Sequence, residues 1–184
     1  LAPTIRGRML ETSALADEIL EQVRELSLEL RPIMLNDLGL VPTMHWYVNR
    51  YRERVGIEVE FEALDLEERL PAEVETALYR VLQEALTNVA RHAEAKKVSL
   101  RLERNGAKVR VLIEDDGKGF DMEEVAARQP LKRGVGLLAM RERVLSLGGS
   151  LHIQSRPGWG TQLSIEIPLA ERRSDRPFRA TQNG

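Results

Sequence analysis

Two runs of alternating apolar residues, Val98, Leu100, Leu102 and Val109, Val111, Ile113, stand on either side of Asn105-Gly106. A period of two puts each run on one face of a half-buried strand. Asn-Gly is the pair best suited to the positive φ angles of a tight hairpin turn. The two strands must therefore be antiparallel neighbours, which argues against a doubly wound parallel sheet. A third run, Ile57, Val59 and Phe61, alternates with Glu58, Glu60 and Glu62. Two more, around Leu151–Ile153 and Leu163–Ile167, flank a turn at Pro157–Gly160.

Between these strands the spacing changes to that of helices. Pro71 opens a segment in which Val74, Leu78, Val81, Leu82, Ala85, Leu86 and Val89 form a broad apolar face. Pro42 to Arg54 reads as a shorter helix carrying Trp46, Tyr47 and Tyr51, broken by Gly56. Leu137 to Leu147 reads as a helix closed by Gly148-Gly149, a natural left-handed cap. Segregated helices and hairpins predict an α/β (α+β) fold: a two-layer α/β sandwich with a mixed five-stranded sheet under about three helices.

A helical stem is expected ahead of it. Leu15, Ile19, Val23, Leu26 and Leu30 recur in steps of four, four, three and four, with most charges off that line and Pro32 ending it. The stripe suits a partner helix; the competing reading is a helix packed on its own domain. The polar stretch 121–133 reads as a loop or lid, and the residues after Ala170 as a disordered tail. The division expected is 1–41 stem, 42–170 globular domain and 171–184 tail.

Composition narrows the chemistry. The 184 residues contain no cysteine, which removes disulfides, thiolate nucleophiles and cysteine metal sites. A net charge of -2, dispersed basic residues and only 4% aromatics give no support to nucleic-acid binding. No apolar run approaches the roughly 20 residues of a membrane span.

Four constellations carry possible chemistry. In Glu84-Ala-Leu-Thr-Asn88-Val-Ala-Arg91-His92, Glu84, Asn88 and His92 are spaced by four and share a helix face. Asparagine oxygen is a hard ligand suited to Mg²⁺. A carboxylate one turn away can polarise a hydroxyl, ring nitrogen or water. Arg91 and His92 can meet phosphate oxygens. An ordinary polar surface stripe would look the same. Ile113-Glu-Asp115-Asp116-Gly117-Lys-Gly119-Phe120 ends a strand in carboxylates and glycines, fit to accept a hydrogen bond from an exocyclic amine or to make a simple Asp-Gly turn. Arg133-Gly134-Val135-Gly136-Leu137 stands ahead of a helix, where bare N–H groups favour phosphate and where glycines also serve plain flexibility. Gly158-Trp-Gly160-Thr161 enters the last strand, and Thr161 is placed to bond Asp115 or a base.

The order and spacing of the four are more specific than any one. An asparagine helix, Asp-x-Gly-x-Gly at a strand end, Gly-x-Gly-Leu opening a helix and Gly-x-Gly-Thr at a strand resemble the histidine kinase, gyrase and Hsp90-type ATPase superfamily. The stretches LRPIMLNDLGLVP, LQEALTNVARHAEA, DDGKGF and GVGLLAMRERVLSLGGSLHIQSRPGWGTQLSIEIPL look like two-component sensor histidine kinases whose partners are helix-turn-helix response regulators. The resemblance spans about residues 15 to 169.

It implies ATP and Mg²⁺ as cofactors, with Asn88 binding the metal and Glu84 orienting or deprotonating the attacking histidine. It implies phosphate contacts from Arg91 and His92 and adenine recognition by Asp115. Gly117, Gly119, Gly134, Gly136 and Leu137 would shape the pocket and lid, and Thr161 would support the adenine end. It further implies a homodimeric parent, a response-regulator receiver domain as partner, and a cytoplasmic location for this domain, with membrane anchoring of a longer parent left open. The family's acceptor-histidine text is absent, so the chain is expected to bind ATP but not to phosphorylate itself. His45, beside Trp46, is read as a packing residue. The competing expectations are a nucleotide-binding adaptor without kinase activity and an anti-sigma-type serine kinase; the stem counts against the latter.

Overall fold

The computed structural model describes residues 33–122 and 135–169. The stem expected over Thr12–Leu30, most of the 121–133 loop with Gly134, and the tail lie outside the described residues.

Ten elements follow in order: helices α1 (Ile33–Leu38) and α2 (Leu40–Val55), strand β1 (Glu58–Leu64), helix α3 (Ala72–Asn88) running into a π-helical turn (Val89–Ala93), strands β2 (Lys97–Asn105) and β3 (Lys108–Asp115), helix α4 (Val135–Leu145), and strands β4 (Ser150–Ser155) and β5 (Thr161–Pro168). The sheet order is β1-β2-β3-β5-β4. β1 and β2 are parallel, Val59 facing Val98, and the other three pairings are antiparallel. The parallel pair needs a long crossover, which α3 supplies. The expected mixed five-stranded sheet under helices is thus the observed fold, with α1 as a short fourth helix.

One layer of helices covers one face of the sheet. The period-two residues Val98, Leu100, Leu102, Val109, Val111 and Ile113 are all at most 2% exposed, as are Leu78, Tyr79, Val81, Leu82, Ala85 and Leu86 of α3 opposite them. The other face is wet and carries cross-strand ion pairs such as Lys97–Glu60 at 2.7 Å and Arg101–Glu62 at 2.8 Å. Register is fixed because a one-residue slip would exchange these two faces.

Several boundaries differ in detail. The hairpin loop is Gly106-Ala107, since Asn105 still pairs with Lys108; Gly106 at φ 59° takes the left-handed position. α4 stops at Leu145, and Gly149 N–H closes its end by donating to Val144 O at 3.0 Å. His45 is exposed, its ring edge-on to Phe61 with centroids 4.7 Å apart. The packed core begins before α2, with Leu35 and Leu40 at 0% and 2% exposure.

That early start depends on a buried carboxylate. Glu75, in the first turn of α3, is 2% exposed. Its Oε1 accepts from Leu40 N–H at 3.3 Å, at the bare start of α2, and its Oε2 accepts from Arg69 at 2.7 Å. The same guanidinium donates to Asn36 O and Leu35 O at 2.8 and 2.9 Å, the open carbonyls of α1. One ion pair thereby satisfies the end of one helix and the start of the next.

Candidate functional site

The end of α3 and the end of β3 converge on a cavity of about 520 Å³. It is lined by Asn88, Arg91, His92, Asp115, Lys118, Gly119, Phe120, Leu137 and Thr161, over an apolar wall of Ala85, Val89, Ala93 and Leu163. Four constellations far apart in sequence therefore meet in one space.

Asp115 is the last residue of β3, and its neighbours fix it there. Its Oδ1 accepts from Gly117 N–H at 2.9 Å, and the backbone and hydroxyl of Thr161 on β5 also hydrogen-bond it. Burial pushes its carboxyl above the ordinary aspartate value, and these donors oppose the rise without cancelling it. Gly117 is required by close approach: a Cβ there would meet Ala93 O at 2.3 Å and Asp115 Oδ1 at 2.7 Å. Lys118 N–H donates to that same Ala93 O at 2.7 Å. The π-helical turn and the loop after β3 are thus pinned together, carrying Arg91 and His92 to the cavity wall.

Asn88 has a buried Nδ2 with no hydrogen-bond partner among the described residues. A buried amide left this way costs about 1–3 kcal/mol, which a ligand in the cavity would offset. Turning the amide about its last torsion presents Oδ1 instead, so the group fits a hard cation held between protein and phosphate.

Glu84 is not part of this wall. It lines a second cavity, of about 620 Å³, with Tyr47 and Tyr51 of α2, Arg54, Arg80, Thr87 and Arg91, and Met140 and Arg143 of α4. α4 packs against α3 here, and Glu84 opens into this second cavity while Asn88 and His92 line the first. Gly136 lies against the Glu84 carboxyl, while the next residue, Leu137, faces the first cavity. Arg91 lines both. Tyr51 is no competing base beside Glu84: burial pushes its phenol up to about 12, and its O–H donates to Leu86 O at 2.9 Å.

The structure thus gathers Asn88, Arg91, His92, Asp115, Gly119, Leu137 and Thr161 into one cavity, with Gly117 directly behind Asp115. It sets Glu84 and Gly136 together at its border, and Gly134 lies outside the described residues. Three contributors were missed in the sequence. Lys118 lines the cavity with its ammonium on Glu94 at 2.7 Å; its place between two glycines was the available signal. Ser155 Oγ accepts from Phe120 N–H at 2.9 Å and donates to Gly160 O at 3.0 Å, tying the two glycine loops; nothing in the sequence marks it. Asp116 faces away and accepts from Lys96 and Lys97 N–H at 2.8 and 2.9 Å, a turn cap hidden inside an acidic pair.

Fold and cavity together define a nucleotide-binding sandwich, and comparison with known proteins agrees. The chain belongs to the histidine kinase-, DNA gyrase B-, and HSP90-like ATPase family, whose description matches residues 73–171, more than half of its length. Within it, the chain is 43% identical over 151 residues to the signal transduction histidine-protein kinase/phosphatase DegS of Brevibacillus brevis, covering 82% of this chain and 38% of that protein. It is 38% identical over 143 residues to DegS of Bacillus subtilis, covering 76% and 37%. The chain therefore spans less than two fifths of these relatives. Its fold is that of a blue-light activated histidine kinase from Erythrobacter litoralis, with TM-score 0.63 at 24% identity, covering 86% of this chain and 51% of that one.

Proposed function

We propose that this chain is the ATP-binding catalytic domain of a two-component sensor histidine kinase, passing the γ-phosphoryl of ATP to a histidine for relay to an aspartate on a response-regulator receiver domain. The observation that carries the reading is the buried Asn88 amide, its nitrogen without a partner among the described residues, sharing one cavity with the half-buried carboxylate of Asp115. One group suits a cation among phosphates and the other the amine of a purine, and both ends of one nucleotide are thereby accounted for.

In this reading Asp115 accepts a hydrogen bond from the adenine amine, held in place by Gly117 and Thr161. Asn88 holds Mg²⁺, which neutralises phosphate charge when bound. Arg91, His92 and Lys118 add positive or donor groups at the phosphate end. Glu84 orients the attacking histidine and takes its proton. Phosphoryl transfer asks chiefly for positioning and charge neutralisation, and this sparse set supplies both.

The acceptor histidine lies outside this chain. His45 packs on Phe61, His92 belongs to the phosphate end, and His152 is exposed on β4. The catalytic unit takes in the packed core from Leu35 onward, the residues before it are the end of a dimerisation region, and the whole kinase is a homodimer with this domain in the cytoplasm. No helix among the described residues is long and apolar enough to cross a membrane.

Calorimetric titration of Mg-ADP tests the reading. Binding of one nucleotide per chain, lost in D115N, supports it. Equal binding by D115N, or none by the folded native chain, overturns it.

A further inference from the structure

Gly136 sits in the first turn of α4, yet its nearest neighbour is no phosphate site. A Cβ built on it would stand 1.8 Å from Glu84 Oε1, 2.7 Å from Cδ and 3.2 Å from Cγ. The outer half of the Glu84 side chain therefore lies flat on a bare Cα. On the other side of the same turn, Leu137 lines the cavity that holds Asn88 and Asp115. Two successive residues of α4 thus touch the nucleotide cavity and the carboxyl at its border.

We propose that Gly136 is the positioning residue for Glu84: its missing side chain is the seat of the carboxylate, and contact of nucleotide with Leu137 is thereby linked to where that carboxylate points. The inference rests on the reading of Glu84 as the group that orients the attacking nucleophile. A glutamate has three rotatable bonds, so the surface its outer atoms lie on helps decide its direction, together with the cationic Arg54, Arg80, Arg91 and Arg143 that line the same cavity. Any side chain at 136 displaces the far end of Glu84 rather than backbone, so the fold survives while the carboxylate moves. The seat also matches glutamate in length. Aspartate at 84 would fall short of the Oε1 seat, and its carboxyl, reaching only to about where Cδ lies, would overlap an alanine Cβ less, at 2.7 Å rather than 1.8 Å.

The test compares the native chain with E84Q, G136A, E84D and the double variant G136A/E84D. Mg-ADP affinity is read by calorimetry, turnover as single-turnover phosphoryl transfer in the longer kinase that carries the acceptor histidine, and the Glu84 carboxyl position in a crystal structure of G136A. The expected result for G136A is affinity within about threefold of native, a displaced carboxyl, and turnover slowed about a hundredfold, the scale of a misplaced general base. E84D slows turnover in the native background and restores part of it in the G136A background. A residue needed only for folding would not reverse the ranking of glutamate and aspartate. If E84Q stops turnover while G136A leaves turnover and carboxyl position unchanged, the inference fails and the role of Glu84 stands. If E84Q turns over normally, the role of Glu84 fails and the inference with it.

Discussion

At the scale of single residues, burial at the proposed site costs stability. Asp115 is half-buried and its carboxyl titrates above the usual range because burial disfavours its charge. A folded-state value above the unfolded one means that its contribution favours the fold at low pH and is lost as pH rises through the folded value. At neutral pH it is therefore a cost, which asparagine removes while keeping the bond from Gly117. We expect D115N to abolish nucleotide binding and to raise the melting temperature of the ligand-free protein, both read by differential scanning fluorimetry. Asp116, its neighbour, has the opposite sign. Backbone N–H groups of Lys97 and Lys96 hold its carboxyl below the usual range. Its stabilisation is present above the unfolded value of about 3.9 and is lost as pH falls from there toward the folded value. Denaturation curves of D116N and native protein should differ at pH 7 and converge below that window. Asp115 was singled out in the sequence, but its neighbour's task as a turn cap was not, because the partners of Asp116 are backbone N–H groups at the start of β2, distant in sequence.

At the scale of elements, the joints matter more than the bodies. The bodies of α2, α3 and the five strands were legible from periodicity, since burial on one side imposes a period that single residues carry openly. The joint between α1, α2 and α3 was not. It depends on Glu75, which reads as a plain first-turn acid of α3, and on Arg69 in the preceding loop. Removing the guanidinium leaves a carboxylate at 2% exposure with Leu40 N–H as its remaining partner. Arg69 is itself 48% exposed, but its loss strands a buried carboxylate, so we expect R69A to destabilise the fold, measured as a lower urea midpoint with unchanged slope. An unchanged midpoint would mean that the pair behaves as a surface one. The π-helical turn at Val89–Ala93 is a second joint. It was read as ordinary helix because its residues keep helical composition, and only Lys118 N–H on Ala93 O shows what the altered turn serves.

At the scale of the whole molecule, the nucleotide cavity is where separate parts of the sheet and helix layers meet, so its ligand should hold them together. Binding to the folded state alone stabilises it by about 2.7 kcal/mol at a hundredfold excess over Kd. Saturating Mg-ADP should raise the melting temperature of the native chain and leave that of D115N unmoved. A shift in D115N equal to the native one would place the nucleotide elsewhere. By itself the sequence determined the mixed sheet under helices, its faces and the four constellations of the site, because period, turn chemistry and glycine placement are local properties that each segment carries alone. The tertiary structure alone decided that Glu84 and Asn88 line different cavities, that Asp116 turns away to cap the start of β2, and that Gly136 meets a carboxylate. These depend on which surfaces come within van der Waals reach when distant segments pack, and no local pattern of residues encodes that distance.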